Sequence, residues 1–235
     1  MDAEYTNLAS LIQRRAAAHP KPRFLVAIAG APGSGKTTLA GEIVHRLNCS
    51  YSSEKPAAAA LLSMDGFHLP RATLDTLPNR EEAYARRGAP FTFDLNGFLE
   101  FMQNVRDWAD TCDPKRLSAP SFSHATKDPV PDGTTIPADT DILIVEGNYL
   151  LLDEPGWREV STLVDMRVLI SVDLASTRER VARRHVRAGI EKTLHDAYAR
   201  VDTNDALNGR LVQERVVPGV DMVVHSVDDI GLGSI

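Results

Sequence analysis

The sequence is poor in cysteine and has no long apolar run. Its 235 residues include two cysteines, Cys49 and Cys112, which are too few for a disulfide framework and have no metal-site spacing to any histidine. The purest apolar runs, residues 24–29 and 57–62, are six residues long, whereas a membrane span needs about 20. Residues 1–10 also lack the basic start and apolar core of a signal peptide. We therefore expect a cytoplasmic protein that does not insert into a membrane.

Positive charge does not dominate the composition. Lysine and arginine number 26 against 32 acidic residues, which gives a net charge of −6. A general binder of nucleic acid or of anionic membranes needs a broad basic field, so we expect no nucleic-acid partner. Apolar residues make up 43% and charged residues 25% of the chain. These are ordinary globular proportions, and they exclude a disordered or collagen-like chain.

Short apolar runs that suit buried strands alternate with stretches of helical spacing. Strands are predicted at residues 24–29, 57–64, 141–146, 166–172 and 220–225. Helices are predicted at residues 2–19, 79–87, 94–110, 175–188 and 192–207, and after residue 37 as far as residue 47. Five of the 14 prolines lie within residues 114–137. This density disfavours a long helix and predicts a bent strand pair or a functional loop.

The alternation predicts a single α/β domain over residues 1–235. Strands that are joined through helices run parallel and are covered on both faces, so we expect a mainly parallel sheet between two helical layers. Residues 66–138 would be insertions at the edge of that sheet. The length suits one domain, and the sequence has no internal repeat or linker.

Residues 30–37 match the phosphate-binding motif GxxxxGK(S/T), with a predicted strand before it and a helix after it. The glycines allow positive φ and close backbone approach, so the loop amides can point at phosphate oxygens. Lys36 can reach the β- and γ-phosphates, and the Thr37 hydroxyl can bind Mg²⁺. A chance glycine turn is the alternative. The predicted ATP-binding residues of the loop are Gly30, Ala31, Pro32, Gly33, Ser34, Gly35, Lys36, Thr37 and Thr38.

The motif predicts a three-layer P-loop NTPase fold and a nucleoside triphosphate site, but it does not specify a reaction. A GTPase needs a base-reading Asn-Lys-x-Asp segment, and the sequence contains no Asn-Lys pair. The LSGGQ signature of ABC-type ATPases is also absent. Two classes remain: a kinase with its own acceptor, and an ATPase whose hydrolysis drives another process.

Two acidic residues stand at the ends of predicted buried strands. Ligands of open parallel sheets bind beyond the carboxyl ends of the strands, which is where Asp65 and Glu146 are expected to lie. Asp65 could accept a proton from an acceptor hydroxyl or help to hold Mg²⁺. Glu146 fits the Mg²⁺-supporting carboxylate of P-loop enzymes. For both residues the alternative is an ordinary turn, since each precedes a glycine.

Residues 178–187 form a strongly cationic segment in this acidic chain. Five arginines and one glutamate give the segment a net charge of +4, so the remainder carries −10. Four of the arginines follow the helical spacing i, i+3, i+4, i+7: Arg180, Arg183, Arg184 and Arg187. This spacing places them on one side of a helix, which suits a lid over residues 178–190 that clamps a nucleotide. A solvated face with local ion pairs is the alternative.

With these residues in view, nearly the whole chain resembles the superfamily of uridine kinase, phosphoribulokinase and type I pantothenate kinase. The motifs follow in the family's order: GAPGSGKTT (30–38), MDGFH (64–68), RRGAPFTFD (86–94), PSFSHATKDPVPD (120–132), ILIVEGNYLL (142–151) and RVARRHVRAG (180–189). Within the superfamily it is most similar to bacterial fructose transport system kinases, which share the NDxLNGR segment found here at residues 204–210.

The resemblance implies roles for particular residues. Asp65 corresponds to the family's catalytic aspartate, and Glu146 to the acid after the Walker B strand. Lys36 and Thr37 correspond to the ATP and Mg²⁺ residues, and the four arginines above to an Arg-rich lid. His124 corresponds to a histidine that contacts the substrate of pantothenate kinases.

One departure concerns the acceptor. Asn148 and Tyr149 stand where pantothenate kinases typically have Leu-Asn, so pantothenate specificity is not carried over. A small polyol needs polar groups for its hydroxyls and an aromatic wall. The predicted acceptor-binding residues are His68, Arg86, Arg87, Phe93, His124, Lys127 and Tyr149. Phe93 could equally be core, and His68 and His124 could be structural histidines. The role of residues 204–210 stays open between nucleotide, acceptor and helix capping.

Together these observations predict an ATP-dependent kinase that phosphorylates a hydroxyl of a small molecule, with Mg²⁺ as cofactor. The predicted catalytic residues are Asp65, Lys36, Arg180 and Arg184, the predicted metal ligands are Thr37, Glu146 and Asp65, and Arg183 and Arg187 are predicted to bind ATP. The resemblance favours a sugar such as fructose as the acceptor. A nucleoside or pantothenate-like acceptor and a regulatory ATPase with a protein partner are the alternatives, and a homodimer stays open.

Overall fold

A computed structural model describes residues 2–49 and 58–226. Within these residues the strands are β1 (Phe24–Gly30), β2 (Ala59–Ser63), β3 (Leu117–Ser123), β4 (Asp128–Ile136), β5 (Ile142–Gly147), β6 (Met166–Ser171) and β7 (Met222–His225). The helices are α1 (Asp2–Ala17), α2 (Lys36–Asn48), α3 (Arg71–Leu74), α4 (Arg80–Ala85), α5 (Leu95–Ala109), α6 (Trp157–Val160), α7 (Leu174–Arg187), α8 (Leu194–Arg200) and α9 (Ala206–Glu214).

Five parallel strands form the central sheet in the order β2-β5-β1-β6-β7. Two of the three inner strands, β1 and β5, are buried along their whole length, as their continuous apolar sequences predict. Alternate residues of β1 serve opposite faces: Leu25 and Ala27 pack on the side of α5, while Val26 and Ile28 pack on the side of α1 and α2. The predicted α/β fold with a parallel sheet covered on both faces is confirmed.

The second strand ends earlier than its apolar run. It stops at Ser63, and Met64–Phe67 form a 3₁₀ turn in which the Ser63 hydroxyl accepts a hydrogen bond from the Asp65 amide. This local side-chain bond competes with strand pairing and turns the chain at Asp65. Residue 57 of the predicted strand lies outside the described residues.

The helix predicted at residues 192–207 is longer and contains an irregularity. Helices α8 and α9 are joined through a π-helical turn, Val201–Asp205, so that helical backbone runs to Glu214. Such π turns are rare and often lie at functional sites. Here the turn carries Asn204, which is buried.

Residues within the proline-rich stretch form an antiparallel hairpin, β3–β4, with a register shift between Ala119 and Ser121. The predicted bent strand pair is therefore confirmed. The hairpin approaches the 3₁₀ turn so closely that a side chain on Gly66 would lie 2.0 Å from the Pro120 carbonyl oxygen. In the described part of the chain, no helix is both long and apolar enough to cross a membrane.

Candidate active site

The phosphate loop lies between β1 and α2 in the conformation that its glycines allow. Gly33 and Gly35 have φ values of +78° and +87°, in the left-handed region that other residues rarely adopt. A side chain at Gly33 would lie 2.5 Å from Cγ2 of Val181, which belongs to helix α7. The cationic helix thus packs directly on the loop.

Next to the loop, Glu146 is a buried carboxylate at the carboxyl end of β5, with 3% of its surface exposed. Thr37 Oγ1 donates a hydrogen bond to Glu146 Oε2 at 3.2 Å, and Ser63 Oγ donates to Oε1 at 2.5 Å. Burial raises the pKa of Glu146, and the positive charge of Lys36 opposes that rise. The loop, β2 and β5 therefore meet at this carboxylate.

Lys36 stands among charged groups from separate parts of the chain. Burial lowers the pKa of Lys36, whereas the charges of Glu146 and Asp65 raise it and that of Arg184 lowers it. Glu146, Asp65 and Arg184 are consequently all within electrostatic reach of Lys36. The structure brings together three of the predicted catalytic residues, Asp65, Lys36 and Arg184, with the predicted metal residue Glu146.

Three oxygen-bearing side chains fit the requirements of Mg²⁺. Thr37 and Glu146 are hydrogen-bonded, and Asp65 acts electrostatically on Glu146. Hydroxyl and carboxylate oxygens suit this cation, which is usually bound through one or two protein groups together with substrate phosphates. Among the described residues, no group of three or more His, Cys, Asp or Glu side chains could hold a metal ion by itself.

His68 packs with Phe93 and Phe122 in a wall of rings beside Asp65. Its ring lies 4.0 Å from the ring of Phe93 and 4.7 Å from that of Phe122. Its Nδ1 is 2.8 Å from the Asp65 carbonyl oxygen, which can only accept, so Nδ1 carries the proton. Burial lowers the pKa of His68, with a contribution from Arg87 and opposition from Asp65. The lowered pKa favours the neutral imidazole, and in that form Nε2 is the nitrogen without a proton.

The basic pair after α4 is tied to the π turn and α9. Arg86 Nε donates to Asn204 Oδ1 at 3.0 Å, and Arg86 Nη2 donates to Asn208 Oδ1 at 3.2 Å. Asn204 Nδ2 donates to the Arg87 carbonyl at 3.0 Å. The Arg87 guanidinium donates to the Leu69 carbonyl at 3.1 Å and lies 5.7 Å from the Phe122 ring. These contacts place Arg87 beside the rings of Phe122 and His68, and they tie Arg86 to the π turn and α9.

Sequence reasoning did not assign Asn204 and Asn208, nor did it notice Ser63. The two asparagines are four residues apart in a helical stretch, a spacing that puts them on one face. Ser63 directly precedes the Met64-Asp65 turn and is a typical turn-capping residue. Their partners, however, are 83 to 122 residues away.

The hairpin tip lies against the end of α7. Lys127 Nζ donates to the carbonyl of Ala188 at 3.4 Å. His124 is exposed, with its ring 5.5 Å from that of Phe122, and its charge acts on His68. Both predicted acceptor residues therefore belong to the tip of the hairpin, where Lys127 reaches the end of α7 and His124 packs near Phe122.

The four predicted lid arginines all lie on α7, but they differ in exposure and in their partners. Arg180 is partly buried, and Arg184 is exposed with its charge acting on Lys36. Arg183 is exposed and forms an ion pair with Glu179 at 2.6 Å. Arg187 is also exposed. Arg183 therefore behaves as expected for a solvated helix face: it forms a local ion pair with the carboxylate of Glu179, one turn earlier in the helix.

Tyr149 also differs from its prediction as an acceptor contact. It is fully buried, and its hydroxyl donates to the Gly88 carbonyl at 2.5 Å. Its ring lies 5.6 Å from Phe93 and 5.3 Å from Trp157. Burial raises its pKa far above the ordinary value. The structure corrects the prediction: Tyr149 supports the wall from beneath and shows no surface to a ligand. Phe93 is likewise buried, behind His68.

A cleft of about 220 Å³ opens beside the phosphate loop, between α7 and α9. Its walls mix apolar and charged side chains: Pro32, Leu174, Ala175, Thr177, Arg178, Val181, Val201, Asp202, Asp205, Ala206 and Arg210. A second cleft, of about 330 Å³, lies between α1 and α2 and contains none of the predicted site residues.

Comparison with known proteins gives concordant results. The model of the "Phosphoribulokinase / Uridine kinase family" matches residues 25–193. The "Putative uridine kinase C227.14" of Schizosaccharomyces pombe is 38% identical over 195 residues, which cover 83% of this chain and 80% of that protein. The "ATP-dependent kinase YFH7" of Kluyveromyces lactis is 35% identical over 220 residues, which cover 79% of this chain and 62% of that longer protein.

The fold has a solved counterpart. The crystal structure of a "putative fructose transport system kinase" from Silicibacter sp. TM1040 superposes with a TM-score of 0.76 at 30% sequence identity, and the match covers 92% of this chain and 98% of that one.

Proposed function

The chain belongs to the phosphoribulokinase/uridine kinase family of ATP-dependent kinases, and from this premise we propose that it transfers the γ-phosphoryl group of ATP to a hydroxyl of a small molecule. The observation that carries the proposal is the meeting of Asp65, Lys36 and Glu146 beside the phosphate loop. Three parallel strands end there, where open α/β sheets bind ligands.

Each group has a chemical task in this reaction. Asp65 accepts the proton of the acceptor hydroxyl while that oxygen attacks the γ-phosphorus, and the bond to the β–γ bridging oxygen breaks to release ADP. Lys36, Arg180 and Arg184 neutralise negative charge on the transferred group. Arg187 is kept as an ATP contact, whereas Arg183 is left out because it pairs with Glu179.

Thr37 and Glu146, with Asp65 beside them, are the residues that would hold Mg²⁺. When bound, the cation neutralises phosphate charge and helps to orient the phosphates. The loop amides cradle the phosphates, and the cleft between α7 and α9 is the place for the base.

The acceptor lies on the side of His68, between the hairpin and the segment after α4. His68 Nε2 accepts a hydrogen bond from an acceptor hydroxyl, and Arg86, Arg87, His124 and Lys127 surround it. A sugar such as fructose is the first acceptor to test, because the Silicibacter protein is described as a "putative fructose transport system kinase". A nucleoside or a pantothenate-like compound is the second choice.

A screen of sugars, nucleosides and vitamins, read as ADP release and product mass, tests the proposal. We expect Asp65→Asn to bind ATP normally and to lose at least 100-fold in phosphotransfer, on the order of a general-base contribution. Full phosphotransfer by this variant would refute the base assignment. If no hydroxyl compound raises ADP release above the basal rate, the regulatory ATPase with a protein partner becomes the better reading.

A further inference from the structure

We infer that the acceptor carries a carboxylate or phosphate group and that Arg86 binds this group; the inference rests on the proposed function and narrows its substrate class. Arg86 is partly buried, and its hydrogen-bond partners are neutral amide oxygens of Asn204 and Asn208. Within residues 2–49 and 58–226, no carboxylate lies within ion-pairing distance of it. A partly desolvated charge without a counter-charge is costly, so the arrangement calls for an anionic ligand.

Other arginines of this chain show how such a charge is otherwise satisfied. Arg106, whose side chain is 14% exposed, pairs with Asp165 at 2.9 Å. Arg23 is buried without a carboxylate but donates four hydrogen bonds to backbone carbonyls and stacks on Trp108. Arg86 has neither a carboxylate partner nor a full set of carbonyl acceptors. Two of its five N–H donors bond to the asparagines, and both donors on Nη1 have no protein partner among the described residues.

The position of Arg86 points to the acceptor. Its charge acts on the hydroxyl of Tyr149, and so does the charge of Asp65. Its neighbour Arg87 lies over Phe122, which in turn packs against His68. Arg86 is therefore next in the chain to a residue that lines the proposed acceptor side, and Asn204 ties the two together through Arg86 Nε and the Arg87 carbonyl.

The two asparagines fix the orientation of the guanidinium. Asn208 Nδ2 donates to Asn204 Oδ1, and Asn204 Nδ2 donates to the Arg87 carbonyl, so both amide oxygens are held toward Arg86. Neutral amides orient the planar fork without cancelling its charge. An oriented guanidinium with an open edge is suited to bidentate binding of a carboxylate or phosphate.

Two carboxylates of this region have cations of their own. Asp128 is 3.5 Å from Arg87 and also accepts from the Arg71 amide. The charges of Arg184 and Arg200 act on Asp205 and oppose the burial that raises its pKa, and the charge of Asp205 also acts on Tyr149. A neutral sugar would leave the Arg86 charge unmatched, whereas a hydroxy acid or a sugar phosphate would pair with it. The inference thus favours a phosphorylated or carboxylated acceptor over fructose itself.

Matched acceptor pairs test the inference. Glycerol and glycerate, ribose and ribose 5-phosphate, and fructose and fructose 1-phosphate differ within each pair by the anionic group. We expect the kinase to prefer an anionic member, and we expect Arg86→Gln to lower kcat/KM for it about 10- to 100-fold, the worth of a charge-assisted hydrogen bond. The KM for ATP should stay unchanged. Arg80→Gln is the control, because Arg80 begins the helix α4 that directly precedes Arg86 and is exposed and paired with Asp75.

A second variant keeps the guanidinium and cancels its charge. Asn208→Asp is nearly isosteric and places a carboxylate on the same Nη2 donor, so it should reduce the anionic preference as Arg86→Gln does. The inference is overturned if neutral and anionic members react equally well, or if both variants affect both members equally. An increase in the KM for ATP alone would also overturn it, because Arg86 would then serve the nucleotide phosphates.

Binding measurements separate this inference from the proposed function. Calorimetry with glycerate and ribose 5-phosphate, in the presence of ADP, reads the anion site without turnover. Binding that is lost in Arg86→Gln supports the inference even if no compound is phosphorylated, an outcome that would refute the kinase proposal alone. Absence of anion binding to the wild type, together with turnover of a neutral acceptor, refutes the inference alone.

Discussion

At the scale of single residues, Glu146 shows how the site organises charge. It is buried, so its ionised form is disfavoured, but two hydroxyl groups donate to it and Lys36 faces it. Hydrogen bonds to a carboxylate stabilise its charged form. Ser63, which no motif highlights, is therefore a determinant of the charge of Glu146.

Replacing Ser63 by Ala removes one of these donors. The pKa of Glu146, already raised by burial, should rise further, so the carboxylate becomes protonated at a higher pH. We expect the acid limb of the kcat/KM profile to move to higher pH, measured with saturating ATP. Thr162→Ala, an exposed hydroxyl bonded to its own helix, is the control. An unmoved acid limb would show that Glu146 needs no charge for activity.

Tyr149 is the residue at which a sequence prediction and the structure differ most. Its hydroxyl satisfies a buried carbonyl of Gly88, so Tyr149→Phe should cost about 1–3 kcal/mol in the free energy of unfolding. Urea unfolding measures that loss. The KM for the acceptor should stay within twofold of the wild type. A large rise in this KM at unchanged stability would instead restore the predicted contact with substrate.

At the scale of elements, the cationic helix α7 belongs to a small unit of its own. Val181 and Ala182 of α7 pack with Ala197 of α8 and Val201 of the π turn, in a cluster separate from the two cores that flank the sheet. The same helix touches the phosphate loop through Val181. The side chain of Val181 thus packs both on the phosphate loop and within this small unit.

The contact between the phosphate loop and α7 predicts that a methyl group added at Gly33 destabilises the protein. Gly33→Ala would place Cβ 2.5 Å from Val181 and force an alanine to a φ of +78°, a strained conformation that costs about 1–3 kcal/mol. We expect a lower Tm and a higher KM for ATP. Gly41→Ala in α2 is the control, since it meets no atom within 4 Å and a helical Gly→Ala change stabilises by about 0.5–1 kcal/mol. Equal behaviour of the two variants would contradict the proposed packing.

At the scale of the whole molecule, the sheet order decides which distant residues become neighbours. Strands β1 and β2 both flank β5, and Ser63 of β2 and Ile28 of β1 pair in register with Glu146. The carboxyl ends of three strands thus form one edge, where Lys36 and Asp65 also lie. The net charge of −6 is the sum of −10 on the rest of the chain and +4 on residues 178–187, which include Arg184, whose charge acts on Lys36 at this edge.

The sequence by itself determined the features that depend on neighbouring residues. Apolar runs such as residues 24–29 predicted buried strands because burial on both faces leaves no alternation. The motif at residues 30–37 predicted the loop because its glycines supply the φ values required there. The motifs along the chain also predicted the family, which the match over residues 25–193 confirms.

The tertiary structure alone decided which residues face one another across the chain. The burial of Tyr149, the capture of Arg183 by Glu179, and the bonds from Arg86 to Asn204 and Asn208 are examples. The charges and hydrogen-bond donors of a helical face or a basic pair can be satisfied by several different partners, and the local sequence does not distinguish among them. The choice depends on which partners the strand order and the packing bring near, across as many as 122 residues of chain. For this reason the contacts of the predicted acceptor residues could not be derived from the sequence.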